Sequence, residues 1–216
     1  MKLLFIGGFF STQLENEIIL NSKSHIDYAA NKLQWKFIKG LSSIKKTEIN
    51  IISAPFVNSF PKGYKKIRFN KKPIEKKDNI EIHYVNFCNL WGYRNISRKY
   101  AINRKICKLP VNEIDVVFLY SAHTPIVQAA KKIKKINSLT HICLILPDLP
   151  EFMNRNRKKN FLYKVFKKID IKIFKKNIKY IDSFVLLTEN MSNYLNIKDK
   201  PFVVIEGMIN PEEIVI

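Results

Sequence analysis

Residues 116–146 read VVFLYSAHTPIVQAAKKIKKINSLTHICLIL. Residues 116–120 and 142–146 are continuous apolar runs, and residues 125–136 carry apolar side chains at helical spacing, with a proline near the first turn. Strands that are apolar throughout are typical of a parallel sheet covered on both faces. The stretch therefore predicts two buried parallel strands joined by a helix.

The same alternation continues on both sides of this stretch. Further strands are predicted by apolar runs at residues 3–6, 49–52, 80–87, 184–187 and 202–205. Helices are predicted at residues 27–41, 94–107, 158–180 and 191–195. The lysine-rich, irregular stretch 61–78 predicts a mobile loop. Together these elements predict an α/β fold, a Rossmann-like, doubly wound, mostly parallel sheet of about seven strands, in a single domain of residues 1–216.

The amino-acid composition limits the classes of protein to which the chain can belong. The chain has 216 residues, of which 46% are hydrophobic, so a sizeable core is expected. Its 38 basic and 18 acidic residues give a formal charge of +20, which attracts nucleic acid, anionic lipid headgroups or phosphorylated substrates. The abundance of Lys, Ile and Asn is also expected from an AT-rich genome, so the charge alone does not choose among these partners.

The spacing of the cysteines and the hydropathy of the chain indicate the cellular compartment in which the protein resides. Cys88, Cys107 and Cys143 form no CxxC pair and no metal-ligand pattern, and we expect them to be reduced and packed as small apolar residues. No stretch approaches the roughly 18 apolar residues of a membrane span. These features predict a cytoplasmic protein that is soluble or peripheral.

Several cofactor and nucleophile motifs are missing from the sequence. Gly7-Gly8 follows the first strand without the third glycine of GxGxxG, and neither a P-loop nor a GxSxG motif occurs. The pair Gly7-Gly8 still permits a ligand to approach the backbone closely. We expect no tightly bound cofactor.

The carboxyl ends of the strands are where ligands bind in such sheets, and polar residues at these ends are the candidates. His123 follows the strand at 116–120 and is a candidate catalytic residue; the alternative is a residue that only begins the next helix. Asp148 and Glu151 lie between and after two prolines in residues 147–151, where a carboxylate could act as a general base or bind a hydroxyl. The alternative for Asp148 is a turn residue that caps the following helix. Glu189 and Glu206 follow later strands and are predicted at the rim of the cleft.

Residues 155–179 form the clearest electrostatic feature. They contain eleven basic side chains and one acid, Asp170, and the apolar residues between them recur every three to four positions. If the apolar face packs on the sheet, the basic side is free to meet an anionic membrane surface. A solvated lysine-rich helix and a nucleic-acid-binding helix are the alternatives.

Several stretches together resemble the N-terminal, acceptor-side domain of family 4-type GT-B glycosyltransferases of bacterial capsule, exopolysaccharide or cell-wall pathways. The stretches lie at residues 5–8, 29–35, 120–123, 146–150, 187–191 and 203–210. The resemblance implies a hexosyltransferase-type enzyme in which this half binds a lipid-linked or surface-glycan acceptor. It also implies that a second Rossmann half binds the nucleotide-sugar, without a metal ion. The E-x7-E element of that second half is not in this sequence, so the donor-binding domain is expected in cis or on a partner chain.

The expected location is the cytoplasmic side of the plasma membrane, as a peripheral protein. Two other functions are compatible with the sequence. One is a non-catalytic module that recruits a separate donor-binding subunit to the membrane, and the other is a basic nucleic-acid-binding protein.

Overall fold

The computed structural model describes residues 1–70, 72–152, 161–197 and 199–207. Its strands are β1 (Lys2–Gly7), β2 (Glu48–Ser53), β3 (Arg68–Phe69), β4 (Glu75–Lys77), β5 (Ile80–Tyr84), β6 (Phe87–Cys88), β7 (Val116–Tyr120), β8 (His141–Leu146), β9 (Ser183–Leu186) and β10 (Phe202–Val204). Its α-helices are α1 (Thr12–Asn21), α2 (Tyr28–Ser42), α3 (Arg94–Ile106), α4 (Thr124–Ile136), α5 (Phe161–Asn177) and α6 (Asn190–Leu195).

The main sheet has eight strands in the order β10-β9-β8-β7-β1-β2-β5-β4. All neighbouring strands are parallel except β4, which pairs antiparallel with β5 at one edge. The seven parallel strands are the seven that the apolar runs predict. The predicted fold class, a Rossmann-like, mostly parallel α/β sheet, is therefore confirmed.

The core follows from the apolar strands. The side chains of β1 from Leu3 to Ile6 are at most 1% exposed, because helices cover both faces of the sheet. The chain runs from β1 through β2 to β5 on one side, then crosses to β7 and continues outward to β10. Right-handed crossovers in opposite directions place the intervening helices on opposite faces. Helices α3, α4 and α5 thus lie together, and α4 packs between the other two.

One local prediction is wrong, and one helix was not predicted. Residues 61–78, predicted as a mobile loop, contain β3 and β4, and Tyr64 in this segment is 1% exposed. Lys72 of the same segment forms an ion pair with Glu17. Helix α1 was not predicted because only Leu14 and Ile18 of its ten residues are buried, which is too few for a clear helical period.

The predicted packing of the cysteines holds for one residue. Cys143 is buried in β8, Cys88 is half-buried, and Cys107 is exposed at the end of α3, so it does not pack as a core residue. All three are free thiols. Of the basic segment 155–179, residues 155–160 lie outside the described part of the chain, as do residues 208–210 of the C-terminal resemblance.

Candidate functional site

The strand order reverses between β1 and β7. From β1 the chain proceeds to β2 on one side, and the later strands are added on the other side, beginning with β7. Ligands of open α/β sheets bind outside the carboxyl ends of the strands at such a switch point. Gly7 ends β1 and Tyr120 ends β7, so the segments that follow them border the expected cleft.

The surroundings of the two glycines are filled by the chain itself. The Gly8 amide donates a hydrogen bond to Gln34 Oε1 at 2.9 Å. A Cβ added at Gly7 would lie 2.3 Å from Gln34 Oε1, and one added at Gly8 would lie 2.0 Å from the Phe56 ring. Both positions therefore need glycine for internal packing. A direct role of Gly7 and Gly8 in binding substrate stays a prediction.

The backbone after β7 adopts an unusual conformation. Ser121 is buried and has a φ of 77°, in the left-handed region that residues other than glycine rarely occupy. Its amide donates a hydrogen bond to the Ile145 carbonyl at 2.8 Å, which fixes the turn against β8. Strained backbone of this kind persists where the surrounding structure holds it, and it clusters at functional sites. The turn delivers His123 to the cleft.

His123 precedes α4 without capping it through its side chain. Its carbonyl accepts hydrogen bonds from the amides of Ile126 and Val127, but its imidazole makes no capping hydrogen bond. The ring instead packs against Phe56, with the two ring centroids 4.5 Å apart. The backbone of His123 thus leads into the helix, which agrees with the alternative interpretation, and its side chain remains available for another role.

The electrostatic setting of His123 keeps its ring neutral. Burial, together with the charges of the nearby cations Arg98, Arg94 and Lys167, lowers its pKa to about 3. Arg98 is itself buried, donates to the Pro55 carbonyl and lies over the Phe87 ring, 4.4 Å from its centroid. A neutral imidazole at neutral pH can accept a proton or a hydrogen bond.

A cavity of about 600 Å³ opens beside His123, between α3, α4 and α5. This volume lies within the range of about 300–1,000 Å³ that is usual for ligand pockets. Asp170 of α5 lines the cavity and accepts a hydrogen bond from Thr124 Oγ1 at 3.0 Å. Burial raises the pKa of Asp170, while hydrogen bonds from Thr124 and Asn95 and the charges of Lys167 and Arg94 oppose that rise.

Asp170 is a cavity residue that sequence reasoning did not select. It lies four residues after Phe166 and three before Ile173, so it occupies the apolar stripe of α5. A single carboxylate on an apolar stripe within an otherwise basic helix is the signal that could have identified it.

The remaining predicted site residues are spread over the rim. Asp148 is exposed in the loop after β8, and among the described residues the cavity wall includes Pro150 but neither Asp148 nor Glu151. The Tyr194 hydroxyl donates a hydrogen bond to the Glu151 carboxylate, which raises the pKa of Tyr194 to about 12. Glu189 and Glu206 are both exposed and follow β9 and β10, two strands farther from the switch point. Only His123 of the predicted set lines the cavity.

The apolar face of α5 does not pack as expected. In α5 Phe174 is 1% exposed, but Val165, Phe166 and Ile169 are 39%, 42% and 47% exposed. The helix packs on α4, and only Phe174 of these residues joins the buried core that includes the strands. Trp91, before α3, meets Phe166 edge to face, with ring centroids 5.6 Å apart. Part of the apolar stripe therefore faces the cavity and solvent.

Within the described ranges, no group of three or more His, Cys, Asp or Glu side chains could hold a metal ion. The same ranges contain no helix that is long and apolar enough to cross a membrane.

The fold is similar to that of α,α-trehalose 6-phosphate synthase from Burkholderia multivorans, with a TM-score of 0.50 and 9% sequence identity. That match covers 90% of this chain and 41% of the synthase chain. The apo structure of OtsA is similar with a TM-score of 0.46 and 12% identity, over 91% of this chain and 42% of that chain. The chain thus spans less than half the length of these two structures.

No protein-family model and no curated protein sequence matches the chain. The structural likeness supports the predicted fold class, a Rossmann-like half of the GT-B type. At such low identity it concerns the fold alone, and the more specific resemblance to family 4-type enzymes stays a prediction.

Proposed function

We propose that this chain is the acceptor-binding half of a hexosyltransferase-type glycosyltransferase. The enzyme would move a sugar from a nucleotide-sugar to a lipid-linked or surface-glycan acceptor at the cytoplasmic face of the plasma membrane. The observation that carries the proposal is the placement of His123, held by a strained turn at the switch point of a Rossmann-like sheet and beside a cavity of about 600 Å³.

The chemistry assigned to His123 is to orient the acceptor. A ring with so low a pKa is a weak base at neutral pH, but it accepts a hydrogen bond from the acceptor hydroxyl. The hydroxyl oxygen forms a bond to the anomeric carbon of the donor sugar while its proton passes to Asp148, the candidate general base. The bond from that carbon to the diphosphate breaks, and the nucleoside diphosphate leaves with the electron pair. Asp148 lies exposed in the loop after β8, where it can meet an acceptor that extends from the cavity.

The donor-binding half is proposed to be a second Rossmann-like domain, either in the same polypeptide or on a partner chain. The basic, partly apolar surface of α5 supports peripheral attachment to an anionic membrane, because it offers Val165, Phe166 and Ile169 beside exposed lysines. Glu151, Glu189 and Glu206 keep their proposed place at the rim of the cleft.

Native purification of the protein from its source cells tests the proposal. An antibody against this chain is used to measure its native mass and to recover it together with anything covalently or tightly attached. We expect the recovered material to bind one nucleotide-sugar out of a panel and to release nucleoside diphosphate when acceptor lipid or glycan is added. Recovered material that binds no nucleotide-sugar, or that instead retains RNA or DNA with a steep salt dependence, would contradict the proposal.

A further inference from the structure

A second concavity, of about 360 Å³, lies over α4 between α3 and α5. Its volume is at the lower end of the range of about 300–1,000 Å³ that is usual for ligand pockets. Five lysines from the three helices line it: Lys99, Lys131, Lys132, Lys135 and Lys176. We call these five residues the lysine shelf. Among the described residues, none that lines this concavity is acidic.

The shelf lysines of α4 share one face of that helix. Lys131 and Lys135 are four residues apart, and Lys132 and Lys135 are three apart, so their side chains are neighbours on the helix surface. Like charges four residues apart on a helix repel each other. Lys99 and Lys176 bring two further charges to the same concavity from the flanking helices. Five positive charges thus converge on one concavity.

The shelf lysines have no acidic partner among the residues that the structure describes. None of the five forms an ion pair there. Lys134, on the same helix but outside the concavity, pairs with Asp182 at 2.8 Å. Helix α4 therefore has a carboxylate for the lysine outside the concavity and none for the three lysines that line it.

The ends of the helices account for only two of the five lysines. Lys135 and Lys176 lie in the last turns of α4 and α5, where the carbonyl end of a helix favours basic side chains. Lys99, Lys131 and Lys132 lie before the last turns of their helices, beyond the range of that effect. Holding these like charges together costs free energy, which a bound anion would offset.

We propose that the lysine shelf binds a soluble anion with two or three linked phosphate groups. A single phosphate carries at most about two negative charges at neutral pH, fewer than the positive charges of the shelf. Linked phosphates place more charge and more acceptor oxygens within one concavity of this size. The lining amides of Asn103 and Gln128 can donate further hydrogen bonds to those oxygens. An inorganic polyphosphate and the phosphate chain of a nucleotide share this chemistry.

The lysine shelf is separate from the acceptor site. Its α4 lysines lie 8 to 12 residues after His123, which is about 12–18 Å along the helix axis. Lys99, Gln128 and Ile173 line both concavities. His123 and Asp170 line only the larger one. Occupancy of the shelf thus goes beyond the proposed function and does not depend on it.

A nucleic acid fits the shelf less well than a compact anion. A polynucleotide carries one charge per nucleotide along an extended strand, whereas the shelf gathers its lysines around a recess of about 360 Å³ between helices. RNA is therefore a comparison ligand in the test.

Isothermal titration calorimetry of the 216-residue chain tests the inference. Tripolyphosphate is the probe, and orthophosphate, ATP and a short single-stranded RNA are the comparison ligands, all at about 0.15 M salt without divalent cations. We expect tripolyphosphate to bind at least tenfold more tightly than orthophosphate. Tighter binding of ATP than of tripolyphosphate would support the site and assign it to a nucleotide. Equal binding of the two would support the site and assign it to the phosphate chain alone.

The double variant Lys131→Gln/Lys135→Gln should weaken tripolyphosphate binding at least tenfold. The matched control Lys39→Gln/Lys45→Gln removes the same charge from exposed positions outside the concavity and should change the affinity less than twofold. Circular dichroism of both variants checks that they fold.

Acylation of the wild-type lysines, measured by mass spectrometry, locates the bound anion. Tripolyphosphate should protect Lys131, Lys132 and Lys135 from acylation and should leave Lys39 and Lys45 reactive. This measurement needs no variant, so it tests the shelf even if a substituted chain does not fold.

Orthophosphate binding as tight as that of tripolyphosphate would contradict the inference. Equal losses in the two lysine pairs, unprotected shelf lysines, or tighter binding of RNA than of tripolyphosphate would contradict it as well. None of these measurements uses a sugar donor or an acceptor, so a failure of the proposed function would leave their results unchanged.

Discussion

The phenyl ring of Phe56 and the imidazole of His123 are packed 4.5 Å apart at an interplanar angle of 38°, and Phe56 also covers Gly8. The Phe56 amide donates to the Gly8 carbonyl at 2.7 Å, so its backbone is fixed to the loop after β1. The position of the proposed catalytic ring thus depends on the absence of a side chain at Gly8. Gly8, which the sequence predicts to contact a ligand, therefore also has a defined packing role.

Gly8→Ala should therefore destabilise the protein by about 1–3 kcal/mol, because the new methyl group overlaps the Phe56 ring. Urea unfolding measures this free energy. Gly40→Ala is the matched control, since nothing lies within 4 Å of a Cβ at Gly40 in α2 and the change should stabilise the helix by about 0.5–1 kcal/mol. Equal changes in the free energy of unfolding for the two substitutions would show that the Phe56 ring moves aside at no cost.

Replacing Ser121 with glycine should give a more stable protein than replacing it with a β-branched residue, because the φ of this position is 77°. We expect Ser121→Gly to leave the free energy of unfolding unchanged or to raise it. Ser121→Val should lower it by about 1–3 kcal/mol, the cost of holding such a residue in this region. Ser43 has a φ of −74°, and the same pair of changes there should not favour glycine. Comparable stability of Ser121→Gly and Ser121→Val would contradict the strained turn.

Because the pKa of His123 is lowered in the folded state, the free energy of unfolding should decrease as the pH is lowered. The folded-state pKa of about 3 lies below the ordinary value of 6.5. Between these two pH values the unfolded chain therefore binds a proton at His123 that the folded chain does not bind. Stability attributable to His123 is present above about pH 6.5 and is lost as the pH falls towards 3.

His123→Phe should reduce the loss of stability between pH 7 and pH 5 by about 1–2 kcal/mol, measured by urea unfolding at both values. His83, whose pKa burial lowers to about 4, is present in both proteins and cancels in the comparison. Identical losses in wild type and variant would mean that His123 is protonated as readily in the folded state as in the unfolded state.

Attachment to anionic vesicles should depend on the exposed lysines of α5. Replacing Lys168, Lys172 and Lys175 by Gln should lower the affinity for phosphatidylserine vesicles, measured by sedimentation, about 100-fold. Each lysine near the membrane surface contributes about 1 kcal/mol of binding free energy. The control replaces Lys32, Lys39 and Lys45, which are exposed outside the helical layer of α3, α4 and α5. A similar loss in both triple variants would show that net charge, rather than α5, drives binding.

The parallel sheet was predictable because its strands are buried on both faces. A strand such as Leu3–Ile6 is then apolar at every position, and its pattern does not depend on tertiary context. The short edge strand β4, Glu75–Lys77, lacks any such pattern, since an edge strand can carry charged side chains that face water. Its pairing with β5 is a tertiary event that the local sequence does not encode.

The candidate site was predictable only in part. The position of His123 follows from the rule that strand ends carry the ligands, and the structure places it at the cavity. The lining from Trp91 and Phe166 was not predictable, because it requires α3 and α5 to flank α4 with their apolar stripes turned towards each other. Helical periodicity shows that a stripe exists but not which neighbour it meets.

The most direct test of the account is sugar transfer by membranes of source cells that carry His123→Ala or Asp148→Asn in place of the native residue. Labelled nucleotide-sugars are supplied, and label is measured in the extractable lipid and glycan fractions, with circular dichroism of the purified variants as the check on folding. The account predicts incorporation in the wild type and a loss of about 10²-fold in His123→Ala, the scale of losing a contact that positions a reacting group. Asp148→Asn is predicted to reduce incorporation strongly as well. Wild-type incorporation in both variants would contradict the assignment of this edge of the sheet as an acceptor site.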